Sequence, residues 1–152
     1  MSPFEPPLYF AYGSNLLSQR MSERVPSARP AGTAWLDDHL LSFGKRGRDG
    51  SGKATLVVEP GSRVWGALYC IDPEHWERLD GFEPGYARVA KDVVSERHGR
   101  LSATTYIAPE TANEPIAFAW YKRLIVDGAR EHGLPAAYVS ELERLPARSA
   151  PA

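Results

Sequence analysis

Between residues 54 and 107 the chain is dominated by short β-forming runs, and this limits the folds open to it more than any other feature. Residues 54–58 and 64–71 are apolar, branched and aromatic, and Glu59-Pro60-Gly61-Ser62 separates them with turn-forming residues, which predicts a hairpin. Residues 86–95 and 101–107 flank His98-Gly99 and carry Val89, Val93 and Tyr106, which predicts a second, longer hairpin. Residues 8–11, 31–36 and 40–43 add further short strands. Helical spacing lies outside and between these runs. Leu17, Met21 and Val25 recur every fourth residue before Pro26 ends the pattern. Asp72 as cap, Pro73 in the first turn, Trp76 and Leu79 on one face and Gly81 at the end define a short helix. Asn113, Glu114 and Pro115 open a longer one through Ile116, Ala119, Trp120, Leu124 and Ile125, continuing past Gly128 to Gly133. Pro135 opens a last amphipathic helix with Tyr138, Val139, Leu142 and Leu145. With no repeat and no linker, the pattern reads as one α+β domain over residues 8–146, a flexible leader at 1–7 and a disordered tail at 147–152.

The 152 residues, 43% of them hydrophobic and 11% aromatic, supply enough apolar surface for one core. The formal charge of −1 leaves no global field to draw the protein onto nucleic acid or an anionic membrane, so the expected partner is a small molecule. The chain is expected to act as a monomer or homodimer. A single cysteine, Cys70, excludes an internal disulfide and sits in an apolar run where a structural thiol is expected. The opening Met-Ser-Pro-Phe-Glu-Pro-Pro has neither a basic region nor an apolar core, so a soluble, cytoplasmic protein is expected.

The first candidate for chemistry lies near the amino terminus. In Leu8-Tyr9-Phe10-Ala11-Tyr12-Gly13-Ser14-Asn15-Leu16 an aromatic strand gives way abruptly to Gly-Ser-Asn and then to the helical pattern. Gly13 permits a backbone closed to other residues, Ser14 or Asn15 suits a helix cap, and amides at a helix start attract anions. The same features also describe an ordinary strand-to-helix connection.

Other motifs fail on inspection. Gly47-Arg48-Asp49-Gly50-Ser51-Gly52-Lys53 imitates a phosphate-binding loop, but Ala54 stands where the motif needs a hydroxyl. Thr55-Leu56-Val57-Val58 then reads as a strand where a helix is required. With four bases, five glycine or serine residues and no interleaved aromatic, residues 44–53 are expected to form a solvated, mobile loop. His39, His75, His98 and His132 are too scattered for a metal-ligand pattern, and Ser14 has no evident histidine base.

Glu83 is a stronger candidate. It sits between Phe82 and Pro84, after a helix and before a strand carrying Tyr86 and Arg88. Apolar neighbours disfavour a carboxylate's charged form and raise its pKa, as a general base at neutral pH requires. A solvated loop acid is the competing reading.

Tyr9-Phe10-Ala11-Tyr12-Gly13-Ser14-Asn15-Leu16 strongly resembles the signature loop of the γ-glutamylcyclotransferases. Val64-Trp65-Gly66, Leu79-Asp80-x-x-Glu83, Tyr86, Tyr121-Lys122 and Gly128-Ala129-Arg130-Glu131-His132-Gly133-Leu134-Pro135 follow in the family's order. The resemblance implies a small mixed β-barrel flanked by helices, and a cofactor-independent, metal-free reaction. In that reaction the α-amino group of a γ-glutamyl compound attacks its own γ-carbonyl, releasing 5-oxoproline and an amine. By position it makes Glu83 the catalytic acid/base and Tyr9, Phe10, Ala11, Tyr12, Gly13 and Ser14 the substrate-binding loop, with Asn15 alongside. It makes Tyr121 a substrate-contacting tyrosine and Tyr86 a further contact. Amides around Gly13 to Asn15 are then donors for either the substrate carboxylate or the developing oxyanion. A non-catalytic module that binds a γ-glutamyl or acidic metabolite is the alternative.

Overall fold

In a computed structural model of the protein, residues 8–111 and 116–151 are described. Five strands close into a barrel in the order β1-β3-β2-β4-β5. β1 is Leu8–Ala11, β2 Arg29–Arg46, β3 Gly52–Cys70, β4 Ala87–Ser95 and β5 Gly99–Ile107. β1 runs antiparallel to β3 and parallel to β5, so the sheet is mixed, and closure removes its exposed edges. Flanked on both sides, β1 is buried along its whole length. The barrel with helices around it is the architecture the resemblance implied.

Two β expectations are overturned together. Residues 54–58 and 64–71 do not form a hairpin with each other; they are one continuous strand, β3. Likewise 31–36 and 40–43 are both parts of β2, and β2 and β3 form a single long antiparallel ribbon. The Glu59-Pro60-Gly61-Ser62 segment is an irregularity within that ribbon. Asp37 pairs with Arg63 and His39 with Val58, so β3 carries several extra residues where β2 carries one. Asp38 at φ 62° and Gly61 at φ 86° absorb the distortion, and Gly61 N donates to Asp38 Oδ1 at 3.0 Å. Turn-forming residues are needed at such a bulge as much as at a hairpin, which is why the local signal misleads. The second hairpin, β4 with β5, stands in register from Ala87↔Ile107 to Ser95↔Gly99, as expected.

The true β2–β3 turn is the segment expected to be a mobile loop. Gly47 N donates to Ser51 O (2.8 Å), Gly50 N donates to Gly47 O (3.0 Å), and Asp49 Oδ1 accepts from both Ser51 N (3.0 Å) and Ser51 Oγ (2.6 Å). Its base is tied down by Thr111 N to Gly44 O (2.6 Å) and Gly52 N to Ile116 O (2.7 Å). Satisfied backbone groups of this kind order a polar, glycine-rich turn.

The helices follow the apolar spacing with adjusted ends. A 3-10 turn at Ser14–Leu16 precedes α1 (Ser18–Arg24), and another at Pro73–His75 precedes α2 (Trp76–Gly81). Asn113, Glu114 and Pro115 lie outside the described residues. The following helix does not include Ile116: Ala117–Phe118 is a short strand, β6, and α3 is Ala119–Glu131. α4 is Ala136–Arg144, and Ala147–Arg148 forms β7, parallel to β6. The start of the expected disordered tail is therefore paired; the leader 1–7 lies outside the described residues. Among the described residues, no helix is long and apolar enough to cross a membrane.

α3 buries Tyr121, Ile125, Gly128 and Ala129, spaced for one helix face. At Gly128 it presses onto the 3-10 turn so closely that a Cβ there would lie 2.6 Å from Leu16 Cβ and Leu17 N. Beyond its end, Tyr69 Oη and His132 Nε2 both donate to Leu16 O, at 3.0 and 2.7 Å. Glu131 accepts from Ser18 N at 2.9 Å and from Ser18 Oγ, placing a carboxylate at the α1 amino terminus where the backbone dipole favours it. The late Gly128–Gly133 motif is thus the clamp that holds the early Gly13-Ser14-Asn15 turn.

Candidate active site

That turn, the loop after α2, the β2–β3 turn and Tyr121 of α3 enclose a cleft of about 500 Å³, within the range of small-molecule sites. Tyr9, Tyr12, Gly13, Ser14, Asn15, Glu83, Tyr86 and Tyr121, all singled out from sequence, line it. Phe10 and Ala11 do not. Both are fully buried within the core, and the Phe10 ring and the Ala11 carbonyl lie against Gly66. Cys70, half-buried at the end of β3, is also away from the cleft.

At its centre Asn15 joins the two sequence candidates. Its Nδ2 donates to Tyr9 Oη and to Glu83 Oε1, each at 3.1 Å, while its Oδ1 accepts from Arg24 Nη1 at 3.2 Å. Every bond suits one orientation of the amide, so the side chain is locked. Asn15 is therefore a strut and not the helix cap expected from sequence; neither it nor Ser14 caps a helix by its side chain. Ser14 Oγ instead accepts from Arg20 Nε at 3.1 Å. At Gly13, with φ −108° and ψ −138°, space is a constraint, since a Cβ would meet Ala54 Cβ at 3.3 Å.

The Glu83 side chain is only 15% exposed. Burial pushes its carboxyl up to about 7, against the opposing pull of Arg24, whose Nη1 lies 3.8 Å from Oε1, and of the Asn15 hydrogen bond and Arg20. A carboxyl poised near neutrality, with one oxygen held from below by an amide, suits proton exchange at physiological pH. The surrounding tyrosines are kept protonated: burial above all, and then the Glu83 charge, raises Tyr9. Burial likewise raises Tyr12, Tyr86 and Tyr121. Tyr12 Oη donates to Tyr106 O (2.5 Å), and Ala54 holds two rings at once, its N donating to Tyr121 Oη (3.1 Å) and its O accepting from Tyr86 Oη (2.5 Å).

Several lining residues are not assigned to the site from sequence: Arg20 and Arg24 are not singled out there, and the bases of residues 44–53 read as part of a solvated loop. Arg20 and Arg24 come from α1, on the flank beside the Leu17, Met21 and Val25 stripe, and their four-residue spacing was the available signal. Burial, and then Arg24, lowers the pKa of Arg20. Lys45 and Arg46 at the end of β2, Arg48 in the β2–β3 turn and Lys53 at the start of β3 also line the cleft. Lys45 Nζ lies 5.8 Å from the Tyr86 ring centre and Lys53 Nζ 4.6 Å from that of Tyr121. Among the described residues, no group of three or more His, Cys, Asp or Glu side chains is placed to hold a metal ion.

Comparison with known proteins agrees with this geometry. The AIG2-like family matches residues 63–142. The γ-glutamylcyclotransferase of Mus musculus is 35% identical over 147 residues, covering 91% of this chain and 78% of the mouse protein. That of Homo sapiens is 34% identical with the same coverage. A solved structure of a γ-glutamyl cyclotransferase superposes with a TM-score of 0.83 at 33% identity, over 93% of this chain and 89% of the other. The crystal structure of a human protein described as uncharacterized gives 0.87 at 30% identity, over 96% and 91%. An ordered set of motifs, a closed mixed barrel and relatives of this similarity over most of the length lead to one assignment: the chain belongs to the γ-glutamylcyclotransferase family.

Proposed function

We propose that this protein cyclises a γ-glutamyl amino acid, peptide or amine to 5-oxoproline, with Glu83 as the general acid/base. The observation that carries the reading is the Glu83 carboxyl, raised to about 7 by burial and tied through Asn15 to the Gly13–Asn15 turn. The substrate's α-amino nitrogen forms a bond to its own γ-carbonyl carbon, and the bond from that carbon to the leaving nitrogen breaks. Glu83 takes the proton from the attacking nitrogen and returns it to the departing one. An α-ammonium near pKa 8 exceeds an ordinary Glu near 4.3 by about 3.7 units, roughly 5 kcal/mol. With Glu83 at about 7 the mismatch falls to about 1 unit, roughly 1.4 kcal/mol. Because both reacting groups are on one molecule, the protein needs no nucleophile of its own; it must hold the substrate folded. Amides of the Gly13–Asn15 turn and the α1 arginines are suited to the substrate's carboxylate and the developing oxyanion.

The test is release of 5-oxoproline from γ-glutamyl dipeptides by the purified protein, with Glu83→Gln as control. Turnover should fall by about 10²–10⁴-fold in the variant. Binding of γ-glutamyl compounds without turnover in the unaltered protein would establish a binding module instead, and undiminished turnover in Glu83→Gln would remove Glu83 from the chemistry.

A further inference from the structure

The basic residues of the cleft are arranged in a way the cyclisation itself does not require. Lys45 and Lys53 are direct partners across the β2–β3 ribbon, and both ammonium groups lie over rings that line the cleft, Tyr86 and Tyr121. Like charges directly opposite each other on neighbouring strands repel. Arg46 and Arg48, on the same turn, also line the cleft. Among the described residues the only ion pair of these four is Lys53 with Asp49, at 3.3 Å; Lys45 Nζ donates to the Arg46 carbonyl. The backbone of the turn is ordered by its own hydrogen bonds, and of its cations Lys45 and Lys53 are half-buried against the rings while Arg46 and Arg48 are exposed.

The cations fall into two sets. Arg20 and Arg24 of α1 stand beside Glu83 and the Gly13–Asn15 turn, where the reacting glutamyl portion must lie for its amine to reach Glu83. They suffice for that portion's single carboxylate. The second set stands at the β2–β3 turn, with Lys45 over the Tyr86 ring and Lys53 over the Tyr121 ring, and with the glutamyl portion against α1 it is the set left for whatever is attached to the γ-carbonyl. A neutral amine would leave it unmatched, and a neutral amino acid would bring one carboxylate to four cations of which Asp49 pairs only Lys53.

We propose that the leaving group is an acidic amino acid, whose side-chain carboxylate is received between Lys45 and Lys53, so that γ-glutamyl-glutamate and its like are the preferred substrates. This rests on the cyclisation reading for its place in a reaction, but the charge receptor itself is independent of turnover. Lys45 and Lys53 are specificity-determining residues, and Glu83 does the same chemistry on any leaving group.

The decisive comparison is γ-glutamyl-glutamate against γ-glutamyl-glutamine, which match in size and differ by one charge. In kcat/KM the acidic dipeptide should be favoured about ten-fold at low salt, the scale of two partly screened ion pairs. The preference should shrink toward unity in about 1 M NaCl, where screening length falls to about 3 Å. K45M/K53M should collapse the ratio, and K45R/K53R should retain it. Equal kcat/KM for the two dipeptides, or a preference indifferent to salt, overturns the proposal, and the salt series on the unaltered protein stands even where the double variant fails to fold. If neither dipeptide is turned over, the cyclisation reading fails separately. Calorimetry on the same pair then decides the receptor alone: tighter binding of γ-glutamyl-glutamate supports it, and equal affinities refute it.

Discussion

Asn15 Nδ2 donates a 3.1 Å hydrogen bond to Glu83 Oε1 across 68 residues of sequence, joining the early turn to the acid of the α2–β4 connection. The same amide is held by Tyr9 and Arg24, so the Glu83 carboxyl is positioned from one side by a rigid strut. Burial raises this carboxyl and the strut lowers it; their balance sets its working range.

That balance predicts a pH profile. As a general base, Glu83 must be ionised, so kcat/KM should rise through a limb near pH 7. Arg24→Met removes the strongest influence favouring the carboxylate and should move the limb to higher pH; Asn15→Ala should move it the same way by less. Rate profiles of the three proteins check this, and a limb that stays in place or moves downward in Arg24→Met contradicts it.

The same carboxyl should cost stability. Its pKa is raised on folding from about 4.5 to about 7, so the folded state binds the proton more tightly than the unfolded state. The stabilisation this provides is complete below about pH 4.5 and is lost as pH rises through about 7. Above that, an ionised Glu83 costs up to about 3 kcal/mol. Glu83→Gln should therefore gain stability relative to the unaltered protein between about pH 5 and pH 8, measured by denaturant titration at each pH. A stability difference that does not change with pH would falsify the burial argument.

Gly13 is limited by space. A β-branched side chain there must press on Ala54, whose backbone anchors both Tyr121 and Tyr86. Gly13→Val is expected to raise KM at least about ten-fold by displacing these rings, with an overpacking cost of about 1–3 kcal/mol in stability. Gly13→Ala, meeting Ala54 Cβ at 3.3 Å, should be much milder. Unaltered KM in both variants would show that the turn is not part of the binding surface.

Gly66 tests the barrel in place of the site. A Cβ on it would lie 2.4 Å from the Ala11 carbonyl oxygen and 2.8 Å from the Phe10 ring, and β1 has no room to retreat between β3 and β5. Gly66→Ala should destabilise the fold by about 3 kcal/mol or more, seen as a lower denaturation midpoint. A midpoint within error of the unaltered protein would mean that β1 can shift after all.

Much of this protein is decided by short-range chemistry that a sequence displays directly. Apolar periodicity and turn residues determined the β-rich middle, the second hairpin, the helical faces of α1, α2, α3 and α4, and the abrupt turn after Tyr12, because each depends on residues within a few positions of one another. Apolar neighbours on either side of Glu83 were likewise enough to mark it as an unusual acid. Pairing over distance was beyond that reach. The residues 59–62 look like a hairpin turn, and only the long β2–β3 register shows them to be a bulge. A glycine-rich basic stretch looks like a solvated loop until its hydrogen bonds to Thr111 and Ile116 are seen to hold it against the cleft. Tertiary structure also decided that Phe10 and Ala11 serve the core while Arg20 and Arg24 serve the site. A side chain's role follows from what packs opposite it, and in a closed barrel the opposite wall comes from far along the chain.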